Sequence, residues 1–131
     1  MIYSQTQSRT FSKYNVLAQP TQPMNINDTV LNRLAGLSMQ KQWIFFTAEC
    51  PRPDYSQFAA SNVSCQKIIQ LKSSNSQSEL EIVIKAIKSG NASAVVATTQ
   101  IDCVNQSLLH ELAISHGCEV FFVEGRANQF H

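Results

Sequence analysis

The stretch that decides the fold lies between residues 43 and 98. It contains three apolar segments, WIFFT at 43–47, QKIIQL at 66–71 and AVVAT at 94–98, and a helix-like segment, SELEIVIKAIKSGN, at 78–91. Aromatic and β-branched residues favour strands, and apolar residues spaced three and four apart favour a helix. Strands that alternate with helices through short connections predict an α/β domain with a mostly parallel sheet flanked by helices.

The pattern continues on both sides of this stretch. A last strand is expected at 120–123, and four helices are expected, each begun by a polar cap: Asp28, Asp54, Ser76 paired with Glu79 as a capping box, and Asp102. Gly90 and Gly117 are expected to end the last two helices. In the strand at 43–47 we expect Trp43, Phe45 and Phe46 to belong mainly to the core.

The two ends of the chain differ from its middle. Residues 1–25 are rich in Ser, Gln, Thr and Asn, so we expect a mobile N-terminal arm. Residues 26–124 form the α/β domain, and 125–131 form a flexible C-terminal tail.

Composition excludes several classes of function. The 131 residues include 10 basic and 9 acidic side chains, so nothing indicates a nucleic-acid partner. No apolar run approaches the roughly 20 residues needed to cross a bilayer, and the N-terminus lacks the apolar core of a secretory signal. The 4 cysteines lack metal-site spacing, so we expect a cytoplasmic protein without disulfides or a bound metal.

No motif for catalysis is present. The chain has neither a phosphate-binding glycine loop nor a G-x-S-x-G turn, so we expect no cofactor and no enzyme activity. One alternative stays open, because the polar loop Ser73–Ser76 precedes a helix and could hold a phosphate. In that case the chain would be a small nucleotide-binding protein or enzyme with a RecA-like fold. A DNA-associated factor is a third alternative, which the near-neutral charge disfavours.

Several short motifs, in order, resemble one family. They are Gln22-Pro23-Met24, then Leu37, Gln40, Trp43 and Phe46-Thr47, Phe58-Ala59, Lys67–Leu71, Ser78-Glu79, Ala86–Asn91, Ser93–Val96 and the final Gln129-Phe130-His131. Their order and spacing resemble the SulA family of SOS-induced bacterial cell-division inhibitors. The resemblance covers roughly residues 22–124 and the tip of the chain.

This resemblance implies a RecA-like fold without nucleotide and a protein partner. It implies stoichiometric binding to FtsZ, the tubulin-like GTPase of the division ring, which blocks FtsZ polymerisation and GTPase activity. By matching the family motif, the partner-binding residues are Phe46, Phe58 and Lys67. His131 resembles a degradation tag read by the Lon protease, and a homodimer is left open.

The chain departs from the family pattern at two of these positions. Gln42 stands where the family often has an arginine, and we expect the adjacent Lys41 to substitute for that cation. Phe58 replaces a tryptophan, which keeps apolar area but loses an N–H donor. Both departures put the strength of inhibition in question.

Overall fold

The structure is a computed structural model, and it describes Met24 and residues 26–126. Helices and strands alternate along the chain. In order they are α1 (Asp28–Leu37), β1 (Trp43–Phe46), α2 (Tyr55–Ala60), a 3₁₀ turn (Cys65–Lys67), β2 (Ile68–Gln70), α3 (Glu79–Lys88), β3 (Ala92–Thr98), α4 (Cys103–Ser115) and β4 (Glu119–Val123). None of the helices in this range is both long and apolar enough to cross a bilayer.

The four strands form one parallel sheet in the order β2-β1-β3-β4. Ile44 of β1 lies opposite Ile68 on one side and Ala94 on the other. Strand β3 is central, and all seven of its residues are buried. The predicted α/β fold with a parallel sheet flanked by helices is therefore confirmed.

Two apolar layers cover the faces of the sheet, because successive strand residues point to opposite sides. One layer joins β1 and β3 to α1 and α2, and its largest buried side chains are Leu31, Leu34, Ile44, Phe46 and Phe58. The other joins β3 and β4 to α3 and α4 through Val83, Ile87, Val95, Leu109 and Val120. Replacing a large side chain in either layer by alanine is expected to lower the free energy of unfolding by about 2–5 kcal/mol.

Two of the four predicted helix caps are wrong. The cap of α1 is Asn27, whose Oδ1 accepts from Val30 N at 2.9 Å, and Asp28 lies within the first turn. The capping box of α3 is formed by Ser78 and Glu81, with Glu81 Oε1 accepting from Ser78 N at 2.8 Å. The caps at Asp54 and Asp102 are confirmed, and so are Gly90 and Gly117, which have φ of 78° and 72°.

Glu79 is free of the capping box because its carboxylate turns into the protein. It is 9% exposed and lies between the carboxyl ends of β1 and β3. Oε2 accepts from Thr47 Oγ1 at 2.7 Å and from Thr98 N at 2.9 Å, and Oε1 accepts from Thr98 Oγ1 at 2.8 Å. One side chain at the start of α3 thus joins the two central strands.

An exposed ion pair joins distant parts of the chain. The guanidinium of Arg33 on α1 donates from Nε to both carboxylate oxygens of Glu119, at 3.0 and 2.7 Å, and also from Nη2. Glu119 begins β4, so the pair connects the first helix to the last strand. Since the pair is largely exposed, its contribution to stability is expected to be small.

The packed domain extends slightly beyond its predicted limits. Met24, which the sequence assigns to the arm, is 3% exposed and belongs to the core. Arg126, assigned to the tail, donates from its backbone N to Glu49 O and from Nε to Cys50 O, both at 3.1 Å. The rest of the predicted arm and tail lies outside the described residues.

We predict that Glu79→Ala lowers the free energy of unfolding by about 2–4 kcal/mol. The change leaves two hydroxyls and one backbone N–H buried without their acceptor. Urea unfolding followed by circular dichroism measures the loss. Glu111→Ala, at an exposed position of α4, is the matched control and should stay within about 0.5 kcal/mol of the parent protein. Equal losses in the two variants would contradict the role assigned to Glu79.

We also predict that Cys50 is the slowest of the cysteines to react. Burial raises its pKa to about 11, against a smaller lowering by the hydrogen bond with Thr47, so very little reactive thiolate forms at neutral pH. Iodoacetamide labelling read by mass spectrometry should modify the exposed Cys103 first and Cys50 only after unfolding. Because the raised pKa favours the neutral thiol in the folded state, this group's contribution to stability falls as pH rises from about 9 towards 11. Equal labelling rates for Cys50 and Cys103 in the folded protein would refute the assignment.

Candidate partner-binding surface

Trp43 and Lys67 meet at the amino ends of β1 and β2. The parallel register places Ile44 opposite Ile68, so the residues just before them lie side by side. The Lys67 ammonium lies 5.4 Å from the centroid of the Trp43 ring, within the range of a cation–π interaction. Trp43 is 39% exposed. A large aromatic ring and a cation are therefore presented together at the surface.

The loop before β1 holds this pair in place. Lys67 Nζ donates to the carbonyl oxygen of Lys41 at 3.0 Å. Trp43 N donates to Asn91 O at 2.8 Å, which fixes the start of β1 against the residue that precedes β3. Lys41 itself is exposed and Gln42 is half-buried. The structure thus brings three predicted site residues, Lys41, Gln42 and Lys67, around Trp43.

Ile69 extends the apolar part of this area. It lies opposite Phe45, which is two residues beyond Trp43 on β1, so Ile69 and Trp43 share a face of the sheet. Ile69 is 36% exposed. Within the described part of the chain, β2 pairs only with β1 and forms one edge of the sheet. We call the area formed by Lys41, Gln42, Trp43, Lys67 and Ile69 the Trp43 surface.

Phe46 and Phe58 lie beneath the surface of the protein. Both are 0% exposed, and their ring centroids are 5.8 Å apart in the layer between the sheet and α2. Alternation along β1 points Phe46 to the face opposite Trp43. In this conformation neither ring is accessible to a partner, so a part for them in binding stays a prediction and would act through the core. His131 lies outside the described residues.

The sequence did not reveal that Trp43 is exposed. We expected it in the core with Phe45 and Phe46, because the whole segment is apolar. Trp43 is the first residue of the strand and follows Gln40, Lys41 and Gln42. That polar run is the signal that the core begins only at Ile44.

The carboxyl ends of the strands offer little to a phosphate. In open parallel sheets a ligand commonly binds where the strand order reverses, which here lies between β1 and β3. The Glu79 carboxylate occupies that point. In the loop Ser73–Ser76, the hydroxyl oxygen of Ser74 accepts from Ser76 N and Gln77 N, both at 3.1 Å. These N–H groups are already used within the loop, which weighs against the nucleotide alternative.

Comparison with known proteins shows a solved structure of similar fold and a matching protein family. A solved structure, SulA from Pseudomonas aeruginosa, has a similar fold, with a TM-score of 0.54 at 16% identity over 73% of this chain and 84% of that chain. Comparison with curated proteins gave no match. The sequence model described as "Cell division inhibitor SulA" matches residues 14–117, well over half of the chain. The chain therefore belongs to the SulA family of cell division inhibitors.

Proposed function

We propose that this protein stops division by binding FtsZ stoichiometrically, which blocks FtsZ polymerisation and GTPase activity, and that the Trp43 surface makes the contact. The observation that carries the proposal is the exposed Trp43 ring with the Lys67 ammonium 5.4 Å from its centroid. Such binding requires no catalytic turnover, because each bound inhibitor removes one FtsZ subunit from the pool that can polymerise.

The Trp43 surface has the composition of an interface centre. Trp, Tyr and Arg dominate the residues that carry most of the affinity at protein interfaces, and a polar rim around them excludes water. Trp43 and Ile69 supply the apolar centre, while Lys41, Gln42 and Lys67 supply the polar rim.

Lys67 is suited to pair with an acidic group of the partner. Its ammonium has three donors, and one of them is used by Lys41 O at 3.0 Å. That hydrogen bond and the ring of Trp43 fix the side chain before binding, so less conformational entropy is lost on association.

Phe46 and Phe58 take an indirect part in this proposal. Their packing fixes β1 against α2, and β1 in turn positions Trp43. Substituting either ring would then weaken inhibition by loosening the strand that presents the surface.

The family also suggests the setting in which the protein acts. We place it in the cytoplasm as a factor induced after DNA damage in the SOS response, where FtsZ assembles. The terminal His131 is proposed as the recognition element for the Lon protease, which would end the block. A homodimer is consistent with the proposal and is tested by analytical ultracentrifugation.

We predict that titrating the protein into FtsZ of the same cell abolishes GTP hydrolysis near an equimolar ratio. Trp43→Ala and Lys67→Glu should each raise the concentration needed for half inhibition at least about tenfold, equivalent to about 1.4 kcal/mol. The first removes the apolar centre and the second repels an acidic partner. A phosphate-release assay measures the rate.

Arg52→Glu is the matched control for charge reversal. Arg52 is exposed on the loop that follows the carboxyl end of β1, away from the Trp43 surface, so its variant should inhibit like the parent protein. Circular dichroism confirms that each variant is folded. If the Trp43 and Lys67 variants are folded and inhibit as well as the parent, the surface assignment is wrong. No inhibition by the folded parent at several-fold excess would refute the FtsZ proposal itself.

We predict that Phe58→Ala loses inhibition only in proportion to its loss of stability. Truncating a fully buried phenylalanine costs about 3–5 kcal/mol, whereas Trp43→Ala removes a ring that is 39% exposed and should cost less. Urea unfolding and the FtsZ assay are compared at the same temperature. A Phe58→Ala protein with parent-like stability and no inhibition would show that the ring contacts the partner directly.

A further inference from the structure

The strand β4 forms an edge of the sheet, and among the described residues it pairs only with β3. On the side of β3, the backbone oxygen of Val123 accepts from Thr99 N at 2.9 Å. Because backbone groups alternate in direction along a strand, the N–H and C=O groups of Val120 and Phe122 point to the outer edge. The strand has neither a proline nor a charge at 120–123, so its edge is of the kind that proteins usually cover.

The side chains of β4 are also incompletely covered. Phe121 and Phe122 point to opposite faces of the sheet, and both are half-buried. Their neighbours on β3, Val96 and Ala97, are fully buried. A further strand beside β4 would bring side chains against both phenylalanine rings.

The helix α1 lies over the half of the sheet that ends in β4. Its Leu31 and Leu34 share an apolar layer with Val96 of β3 and with Val123 of β4, and Arg33 binds Glu119 at the start of β4. The strand that follows α1 in the chain is nevertheless β1, on the far side of β3. A helix that joins two parallel strands packs back onto the sheet between them. The position of α1 is therefore that of a connection from a strand outside β4 to β1.

The direction of α1 fits such a connection. The helix ends at Leu37, shortly before β1 begins at Trp43, so its start lies towards the carboxyl ends of the strands. Met24 and Ile26, which precede it, belong to the same apolar layer as Val123, the last residue of β4. A strand that ended shortly before Met24 at the edge of β4 would run parallel to β4.

The handedness of the connections selects the edge at β4 over the edge at β2. The β1–α2–β2 connection crosses the α1 face of the sheet towards β2. The connections through α3 and α4 cross the other face in the opposite direction, so all three share one hand, as crossover connections do. A strand outside β4 that is joined to β1 through α1 keeps this hand. A strand outside β2 would reverse it.

The chain contains a suitable segment before α1. Residues 14–17 read YNVL, follow Lys13 and come before Pro20. Tyrosine and valine favour strands, and a lysine at a sheet edge discourages further pairing. The SulA family model matches from residue 14 onwards, so this segment belongs to the region that the family shares. Residues 18–23 can span about 20 Å when extended, several times the roughly 4.8 Å between neighbouring strands.

We propose that residues 14–17 bind the free edge of β4 as an additional parallel strand. Their backbone would pair with the outward N–H and C=O groups of Val120 and Phe122. Tyr14 and Val16 would share one face of the new strand and cover the phenylalanine of β4 on that face. The mobile arm expected from the sequence would then be limited to residues 1–13.

The test is amide hydrogen exchange in the isotope-labelled full chain, followed by NMR. The reference amide is Gln70 on the opposite edge of the sheet. Since Leu71 N donates to Phe46 O at 2.7 Å, the backbone of Gln70 points away from β1. After correction for intrinsic rates, we expect the amides of Val120 and Phe122 to exchange at least about tenfold more slowly than that of Gln70. Nuclear Overhauser contacts should join β4 to residues 14–17.

Proline substitutions in the full chain remove the pairing. Adjacent strand residues turn their N–H groups to opposite sides, so one of Val16→Pro and Leu17→Pro removes a donor to β4. At least one of these variants should abolish the protection of the two outward amides of β4. The amide of Val95, in the centre of the sheet, should stay protected and shows that the variant is folded. Thr6→Pro lies outside the family match and should exchange like the parent.

Three results would overturn the proposal. The two outward amides of β4 could exchange as fast as Gln70, contacts between β4 and residues 14–17 could be absent, or the protection could survive both proline variants. Protection that rises with protein concentration, together with a dimer in analytical ultracentrifugation, would show that a second copy covers the edge instead. FtsZ takes no part in these measurements, so their result is independent of the proposed function.

Discussion

The buried carboxylate of Glu79 is the interaction on which the arrangement of the central strands depends. It accepts three hydrogen bonds, from the hydroxyl of Thr47 after β1 and from the hydroxyl and backbone N–H of Thr98 at the end of β3. Because Glu79 is also the first residue of α3, the same carboxylate fixes the start of this helix against β1 and β3, the two strands between which the strand order reverses. A charge that accepts three donors is stable in the interior where an unpaired charge would not be.

That carboxylate also decides what this α/β fold can bind. The helix N-terminus at a strand order reversal normally attracts an anion. Here an internal anion takes that place, and a second phosphate-sized negative charge beside it would be repelled. The exposed aromatic and cationic groups lie elsewhere, around Trp43 at the amino ends of β1 and β2. This arrangement weighs against nucleotide binding at the strand order reversal.

The order of elements and the parallel sheet could be predicted because the strands are short apolar segments. Each helix has regularly spaced apolar residues and begins near a polar cap. The cap of α3 was predicted at Ser76 but is Ser78. The sequence could not decide between them, because both serines are followed three residues later by a glutamate. Local spacing cannot distinguish them, whereas tertiary structure does, since Glu79 is required by Thr47 and Thr98. Trp43 escaped prediction for a similar reason: an apolar run does not show at which of its residues burial begins. Phe46 and Phe58 were picked out by resemblance, but only the packing shows that both rings are buried.

The position of β1 in the sheet has a consequence for the growing chain on the ribosome. β1 lies between β2 and β3, and β3 is the strand whose seven residues are all buried. When residues 43–70 have left the ribosome, one edge of β1 still lacks its neighbour, and it gains it only after residues 92–98 follow. An unpaired apolar strand edge is prone to intermolecular pairing. The connection between β2 and β3 spans residues 71–91 and contains a serine-rich loop and α3. The time needed to synthesise this connection sets the interval in which nascent chains can associate.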